Sequence, residues 1–109
     1  MQNIEINVQA VKAMLDAKSD FLLLDCRTPA EHATANIPNS MLIPMNDIPA
    51  RINELEPHRE SLIVVHCHHG GRSLRVTEWL LAQGFPNVQN MTGGIDAWSE
   101  QIDPTVPKY

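Results

Sequence analysis

Residues 61–73 read Ser-Leu-Ile-Val-Val-His-Cys-His-His-Gly-Gly-Arg-Ser. Leu62, Ile63, Val64 and Val65 form a short apolar run, mostly β-branched, that fits a strand buried on both faces. A tight polar segment follows, from Cys67 through His68, His69, Gly70 and Gly71 to Arg72. A helical pattern opens at about Ser73. This order of strand, loop and helix places a cysteine at the first loop position. Amides at the start of a helix lack intrahelical partners, and the helix dipole adds partial positive charge there. Two consecutive glycines allow the loop to curl so that several N–H groups face inward. A sulfur at position 67 would sit in that nest. Such surroundings lower a thiol pKa, and the thiolate is the nucleophilic form. Arg72 closes the loop with a fixed charge suited to a polyatomic oxyanion.

Working outward, the flanking chain alternates strands with helices. Ile4 and Ile6 alternate with polar residues, a short first strand. Asn7 suits an N-cap, and Val8, Val11, Met14 and Leu15 then recur at helical spacing. Phe21 to Leu24 is an apolar run ending at Asp25. Thr28-Pro29-Ala30-Glu31 reads as a capping box with proline at the first helical position, opening a helix from Pro29 to about Ala33. Ile37-Pro38-Asn39-Ser40 turns into a third strand, Met41 to Ile43, which Pro44 ends.

Asn46 or Asp47 is expected to cap a helix with Ile48, Ile52 and Leu55 on its apolar face and Pro49 in its first turn. Pro57 stops it. After the active loop, Val76, Trp79 and Leu80 share one helix face with Leu74 and Leu81 beside it. Only Arg75, Glu78 and Ala82 form an outward stripe, and Gly84 ends the helix. Val88 to Met91 is a last strand, Gly94 to Ser99 a last helix, and the proline-bearing tail is extended. The pattern predicts an α/β fold: one small parallel sheet of about five strands with helices on both faces. Ligands in such folds bind beyond the carboxyl ends of the strands, and Cys67 lies just past one.

The 109 residues suit one domain, residues 1–109, and 43% hydrophobic content suffices for one core. Aromatics are few, so Leu, Ile, Val and Met must fill that core. A formal charge of −5 argues against a nucleic-acid partner, which needs a basic face. His66, His68, His69, Arg72 and Arg75 nevertheless cluster in one stretch. They suggest a locally basic mouth for an anionic substrate on an acidic protein, the alternative being a chance run. The N-terminus, MQNIEINVQAV, lacks the pattern of a secretory signal, and no apolar run approaches membrane-spanning length. With two cysteines and no such signal, a reducing, cytoplasmic setting is expected.

The cysteine, four intervening residues, arginine and serine of CHHGGRS resemble the active loop of the rhodanese domain, a sulfurtransferase family. LLDCRTPAEH resembles that family's strand ending in Asp-x-Arg with a Glu shortly after. MTGGIDAW resembles its Gly-Gly-x-x-x-Trp ending. The three motifs lie far apart, in the family's order, and span nearly the whole chain. ANIPNS departs from the family's commoner Gly-His-Ile-Pro-Gly-Ala: Asn36 stands for the histidine and Asn39 for a glycine. Asn hydrogen-bonds and tolerates positive φ, so the departure touches local bracing rather than the nucleophile.

The resemblance implies a rhodanese-like fold and a thiosulfate sulfurtransferase activity. The Cys67 thiolate takes the outer sulfur of a small anionic donor such as thiosulfate. It carries that sulfur as a persulfide and passes it to cyanide or a thiol, a thiol on a protein partner included. No cofactor is expected, and the charge and the short apolar runs noted above leave neither nucleic acid nor membrane as an expected partner. His68, His69, Gly70, Gly71, Arg72 and Ser73 form the substrate-binding loop, their N–H groups stabilising the persulfide. Arg72 either binds the donor oxyanion or braces the loop. The His68 and His69 side chains either assist an anion or leaving group, or contribute only their amides. Asp25 and Arg27 are structural supports, expected as a buried pair. Cys26 between them is either a small core residue or a resolving thiol near Cys67. Trp98 is a core or lid residue, and Gly93 with Gly94 makes a turn near the active loop.

Other chemistries are distinguishable. His66, Cys67, His68 and His69 are consecutive and close poorly into a metal tetrahedron, so no metal is expected. Phosphatases and arsenate reductases of a related fold place five residues between cysteine and arginine; the smaller ring here suits sulfur better than phosphate. Rhodanese-like docking modules lack the cysteine that this chain keeps. A persulfide carrier dedicated to one partner protein is the remaining alternative.

Overall fold

The computed structural model describes residues 3–109; Met1 and Gln2 of the N-terminal stretch lie outside the described residues. Five parallel strands form one sheet: β1 (Glu5–Ile6), β2 (Phe21–Asp25), β3 (Met41–Leu42), β4 (Leu62–His66) and β5 (Val88–Met91), in the order β1-β5-β4-β2-β3. Four α-helices connect them: α1 (Val8–Asp16), α2 (Pro29–Thr34), α3 (Gly71–Ala82) and α4 (Gly94–Gln101). β4 is central, which accounts for its unbroken apolar run. Phe21 to Asp25 pair with Leu62 to His66 residue for residue.

Side chains alternate across the strands and divide the core in two. Leu22, Leu24, Ile63, Val65 and Val88 pack on one face against Val76, Leu80, Ile48 and Leu55. Leu23, Val64 and Met91 pack on the other against Val8, Val11, Ile95 and Trp98. Trp98 is therefore a core residue rather than a lid.

Local chemistry fixes the element ends. Asn7 Oδ1 accepts the Ala10 N–H at 2.8 Å and starts α1. At α2, Thr28 Oγ1 accepts the Glu31 N–H and Glu31 Oε1 accepts the Thr28 N–H, a complete capping box. Asn39 adopts φ +69°, supplying the positive φ expected of an asparagine in that turn.

The segment expected to be a helix from Asn46 to Pro57 is instead three single 3₁₀ turns, Met45–Asp47, Ile52–Glu54 and Glu56–His58, the first following Pro44 with no side-chain cap. An α-ladder would need the N–H of residue 49 to reach the Met45 carbonyl, and Pro49 has none. Ile48 donates to that carbonyl at 3.3 Å instead. Pro57 removes a second donor. The apolar stripe survives the change of ladder: Ile48 and Leu55 are fully buried and Ile52 packs against them. α3 begins at Gly71, two residues before the expected start, because Gly70 at φ +110° already turns the chain.

Candidate active site

Cys67 is the first residue past the carboxyl end of β4. Its sulfur accepts the Gly70 N–H at 3.1 Å and the Ser73 N–H at 3.4 Å, and the Ser73 hydroxyl lies 3.3 Å away. Of the amides from 68 to 73, Gly70 and Ser73 are the ones hydrogen-bonded to the sulfur. The Cys67 thiol is held down to about 4. The Cys26 thiol beside it contributes most; burial opposes, and the Ser73 hydroxyl and the Ser73 and Gly70 amides lower it further. At neutral pH the group is a thiolate. The neighbouring Cys26 thiol is pushed far up, first by Cys67 and then by burial, and keeps its proton. Both cysteines are free and only 1% exposed, so the thiolate forms the floor of the loop.

The two glycines do different work. Gly70 occupies the left-handed region, whereas Gly71 has an ordinary φ and open space where a Cβ would stand. Gly94 supports the loop from below. Its φ is +63°, and a Cβ there would come within 2.6 Å of the Cys67 carbonyl oxygen. That close approach lets Ile95 N–H donate to the Cys67 carbonyl at 2.9 Å and Asp96 N–H to the His68 carbonyl at 3.0 Å. The β5–α4 turn is thus bolted to the loop.

The fold does not make the basic mouth that the run of His and Arg suggested. His66 points into the core with 0% exposure, and burial holds its imidazole down to about 4, so it is neutral. Arg72 is engaged by Glu31 through two bonds of 2.7 and 2.9 Å. That ion pair holds the Glu31 carboxyl well below its usual range. His68 is held below its ordinary value by burial and then by His69. The donors that face the Cys67 sulfur are therefore amide and hydroxyl hydrogens rather than charged side chains.

Asp25 and Arg27 form a buried bidentate pair, both 0% exposed, with Nη2–Oδ2 at 2.7 Å and Nε–Oδ1 at 2.9 Å. Burial alone would raise the Asp25 carboxyl, but Arg27, His66 and His32 together hold it below the usual value. Arg27 also donates to the Ala35 carbonyl at 2.6 Å and to the Tyr109 hydroxyl at 3.0 Å. It ties the end of β2 to α2 and to the tail.

Four site residues escaped the sequence reading in this role. Glu31 holds Arg72. Asn90 accepts from the Ser73 hydroxyl at 2.5 Å, and its place opposite the loop was foreshadowed by a polar residue in the inward-facing Val88–Asn90 register. Tyr109 stacks on His68 with ring centroids 3.9 Å apart and donates to Glu31 at 2.7 Å; the proline-bearing tail gives no periodic signal for this. Asp96 brings a carboxylate within 4.8 Å of His68 and His69 nitrogens, a trio able in principle to hold a metal. The His68 and His69 rings are stacked at 3.9 Å and Lys108 lies 3.5 Å from Asp96, an arrangement suited to a solvated polar cluster rather than a converging ligand set. Among the described residues, no helix is long and apolar enough to cross a membrane.

Comparison with known proteins agrees with this geometry. The family model described as a rhodanese-like domain matches residues 7–101. A sulfurtransferase of Allochromatium vinosum is 38% identical over 102 residues, covering 94% of each chain. The putative sulfur carrier protein YrkF of Bacillus subtilis is 34% identical over 99 residues, covering 91% of this chain and 52% of that one. Among solved structures, a rhodanese-like domain protein from Staphylococcus aureus superposes with a TM-score of 0.79 at 34% identity, over 86% of this chain and 89% of the other. Parallel sheet, loop and sequence concur, and the chain belongs to the rhodanese-like sulfurtransferase family.

Proposed function

We propose that this chain, acting as one rhodanese domain, moves sulfane sulfur from a small anionic donor such as thiosulfate to a thiophilic acceptor through a Cys67 persulfide. The observation that carries the reading is the Cys67 sulfur at the end of β4 accepting the Gly70 and Ser73 amides. In the first step the Cys67 thiolate attacks the outer sulfur of thiosulfate. The sulfur–sulfur bond of the donor breaks, sulfite leaves with the electron pair, and Cys67 keeps the sulfane sulfur as a persulfide anion. The loop amides, already turned toward an anion, need no rearrangement to hold that charge. In the second step cyanide or a thiolate attacks the outer sulfur and regenerates the Cys67 thiolate. No step requires a cofactor or metal, and a reducing cytoplasm is the compartment in which Cys26 and Cys67 stay free.

Intact mass after incubation with thiosulfate tests this. One added sulfur atom, removed by cyanide and missing in Cys67→Ser, is the expected result; an unchanged mass overturns it.

A second reading, a persulfide carrier serving one partner, is favoured by the 1% exposure of Cys67 and by the likeness to YrkF. Rapid thiosulfate-to-cyanide turnover supports the general enzyme, while stoichiometric loading with poor turnover supports the carrier. Phosphate-ester hydrolysis is disfavoured because Glu31 engages both terminal nitrogens, Nη1 and Nη2, of Arg72. Hydrolysis of a chromogenic phosphate ester dependent on Cys67 would reverse that judgement.

A further inference from the structure

We propose that Cys26 is a resolving thiol that discharges the Cys67 persulfide as hydrosulfide, closing a Cys26–Cys67 disulfide when no acceptor arrives. The inference rests on the persulfide reading above.

Placement is the first argument. Asp25 pairs with His66 in the parallel β2–β4 ladder, and the Cys26 N–H continues that ladder to the His66 carbonyl at 3.1 Å. Cys26 and Cys67 are therefore the next in-register residues on neighbouring strands. Such neighbours lie about 4.8 Å apart, within the Cα separation of roughly 4.4–6.8 Å that a disulfide spans. Alternation puts both side chains on one face: Leu22, Leu24 and Cys26 on β2 and its extension, Ile63, Val65 and Cys67 on β4 and its extension, share one cluster. The Cys26 thiol donates to the His66 carbonyl at 3.5 Å and shares the buried cluster of that face with Cys67.

The second argument is space on the Cys26 side. Cys26 and Arg72 line a small cavity of about 110 Å³ with Arg27, Thr28, Pro44 and Met45. A water molecule occupies about 30 Å³ of liquid volume, so the space is large enough for a hydrosulfide ion.

The reaction balances within the chain. The Cys26 proton passes to the outer sulfur of the persulfide. The Cys26 sulfur attacks the Cys67 sulfur, the bond to the outer sulfur breaks, and that atom leaves as HS⁻ with the electron pair. Cys26 is oxidised to the disulfide level and the outer sulfur is reduced to sulfide. Two equivalents of an external thiol, the co-reactant of the recovery step, then restore both cysteines. Loading Cys67 also shifts its negative charge one atom outward, which weakens the neighbouring-anion effect that keeps Cys26 protonated, while Arg72 favours the Cys26 thiolate.

The test loads wild type and Cys26→Ser with thiosulfate without oxygen, removes excess donor, and follows intact mass, trapped sulfide and the disulfide map without added thiol. Wild type is expected to lose its added sulfur, release one sulfide per chain and finish two hydrogens lighter, with the 26 and 67 peptides linked. Cys26→Ser keeps its sulfur about tenfold longer or more. If both proteins load and hold sulfur equally long, the inference falls and the persulfide reading stands. If neither loads, the persulfide reading falls and takes the inference with it. Should Cys26→Ser fail to fold, Cys26→Ala replaces it. The disulfide map of wild type decides by itself in either case.

Discussion

At Ser73 a single hydroxyl hydrogen serves two acceptors, Asn90 Oδ1 at 2.5 Å and the Cys67 sulfur at 3.3 Å. When the sulfur is an anion, each donation to it stabilises the charged form, and a hydrogen bond to a charged group is worth about 1.5–3 kcal/mol. Ser73→Ala removes the hydroxyl and leaves the Ser73 and Gly70 amides in place. The midpoint of the thiolate titration, followed by ultraviolet absorbance, is expected to rise from about 4 by about one pH unit. Sulfur loading at pH 7 should hardly change, because the group remains ionised there. Asn90→Leu removes the competing acceptor and should move the midpoint the other way. Equal midpoints in all three proteins would mean that the hydroxyl does not stabilise the sulfur anion. Cys26, the first-named cause of the low Cys67 value, was legible both as a small core residue and as a thiol near Cys67, with nothing local to choose between them. That relation depends on the parallel register of β2 and β4, which no local pattern encodes.

Among the elements, the turn between β5 and α4 and the start of α3 carry glycines with opposite demands. Gly94 combines φ +63° with the Cys67 carbonyl 2.6 Å from its would-be Cβ. Gly71 has neither constraint and stands in the first turn of α3. A left-handed non-glycine residue costs of order 1–3 kcal/mol, and the contact with a backbone carbonyl adds to it. Gly94→Ala should therefore destabilise the fold by about 3 kcal/mol and spoil sulfur loading through the loop. Gly71→Ala should be neutral or stabilising by about 0.5–1 kcal/mol, since glycine is a poor helix former. Urea midpoints of the two variants check this, and similar losses in both would contradict the assignment. From the sequence, the pairs Gly70-Gly71 and Gly93-Gly94 look equally special. Only the packing of one turn on another separates the glycines that are required from Gly71, which is tolerated. The same limit explains residues 45–58: period and apolar stripe were readable at Ile48, Ile52 and Leu55, yet the ladder was decided by the missing donors of Pro49 and Pro57.

For the whole molecule, the alternation of strands and helices fixed the parallel sheet, while the fate of its buried charges depended on which strands became neighbours. His66 looked like part of a basic loop because it adjoins Cys67; pleat alternation turns it to the opposite face, where it meets Asp25, Arg27 and His32. There both ring nitrogens lack hydrogen-bond partners among the described residues. Its folded pKa of about 4 lies below the ordinary 6.5. Between those values the unfolded chain binds a proton that the folded chain refuses, so stability rises with pH across this window. The contribution is complete above about pH 6.5 and is lost as pH falls toward 4. Asp25 and Glu31, held below the usual carboxylate range, extend the loss to lower pH. From pH 7 to pH 5 the His66 share amounts to about 2 kcal/mol. His66→Leu keeps a side chain of similar bulk, removes two unpaired polar atoms and cannot take the proton. Urea unfolding at both pH values should show the variant losing about 2 kcal/mol less than wild type on acidification. Parallel losses would mean that His66 is not what opens the core to acid.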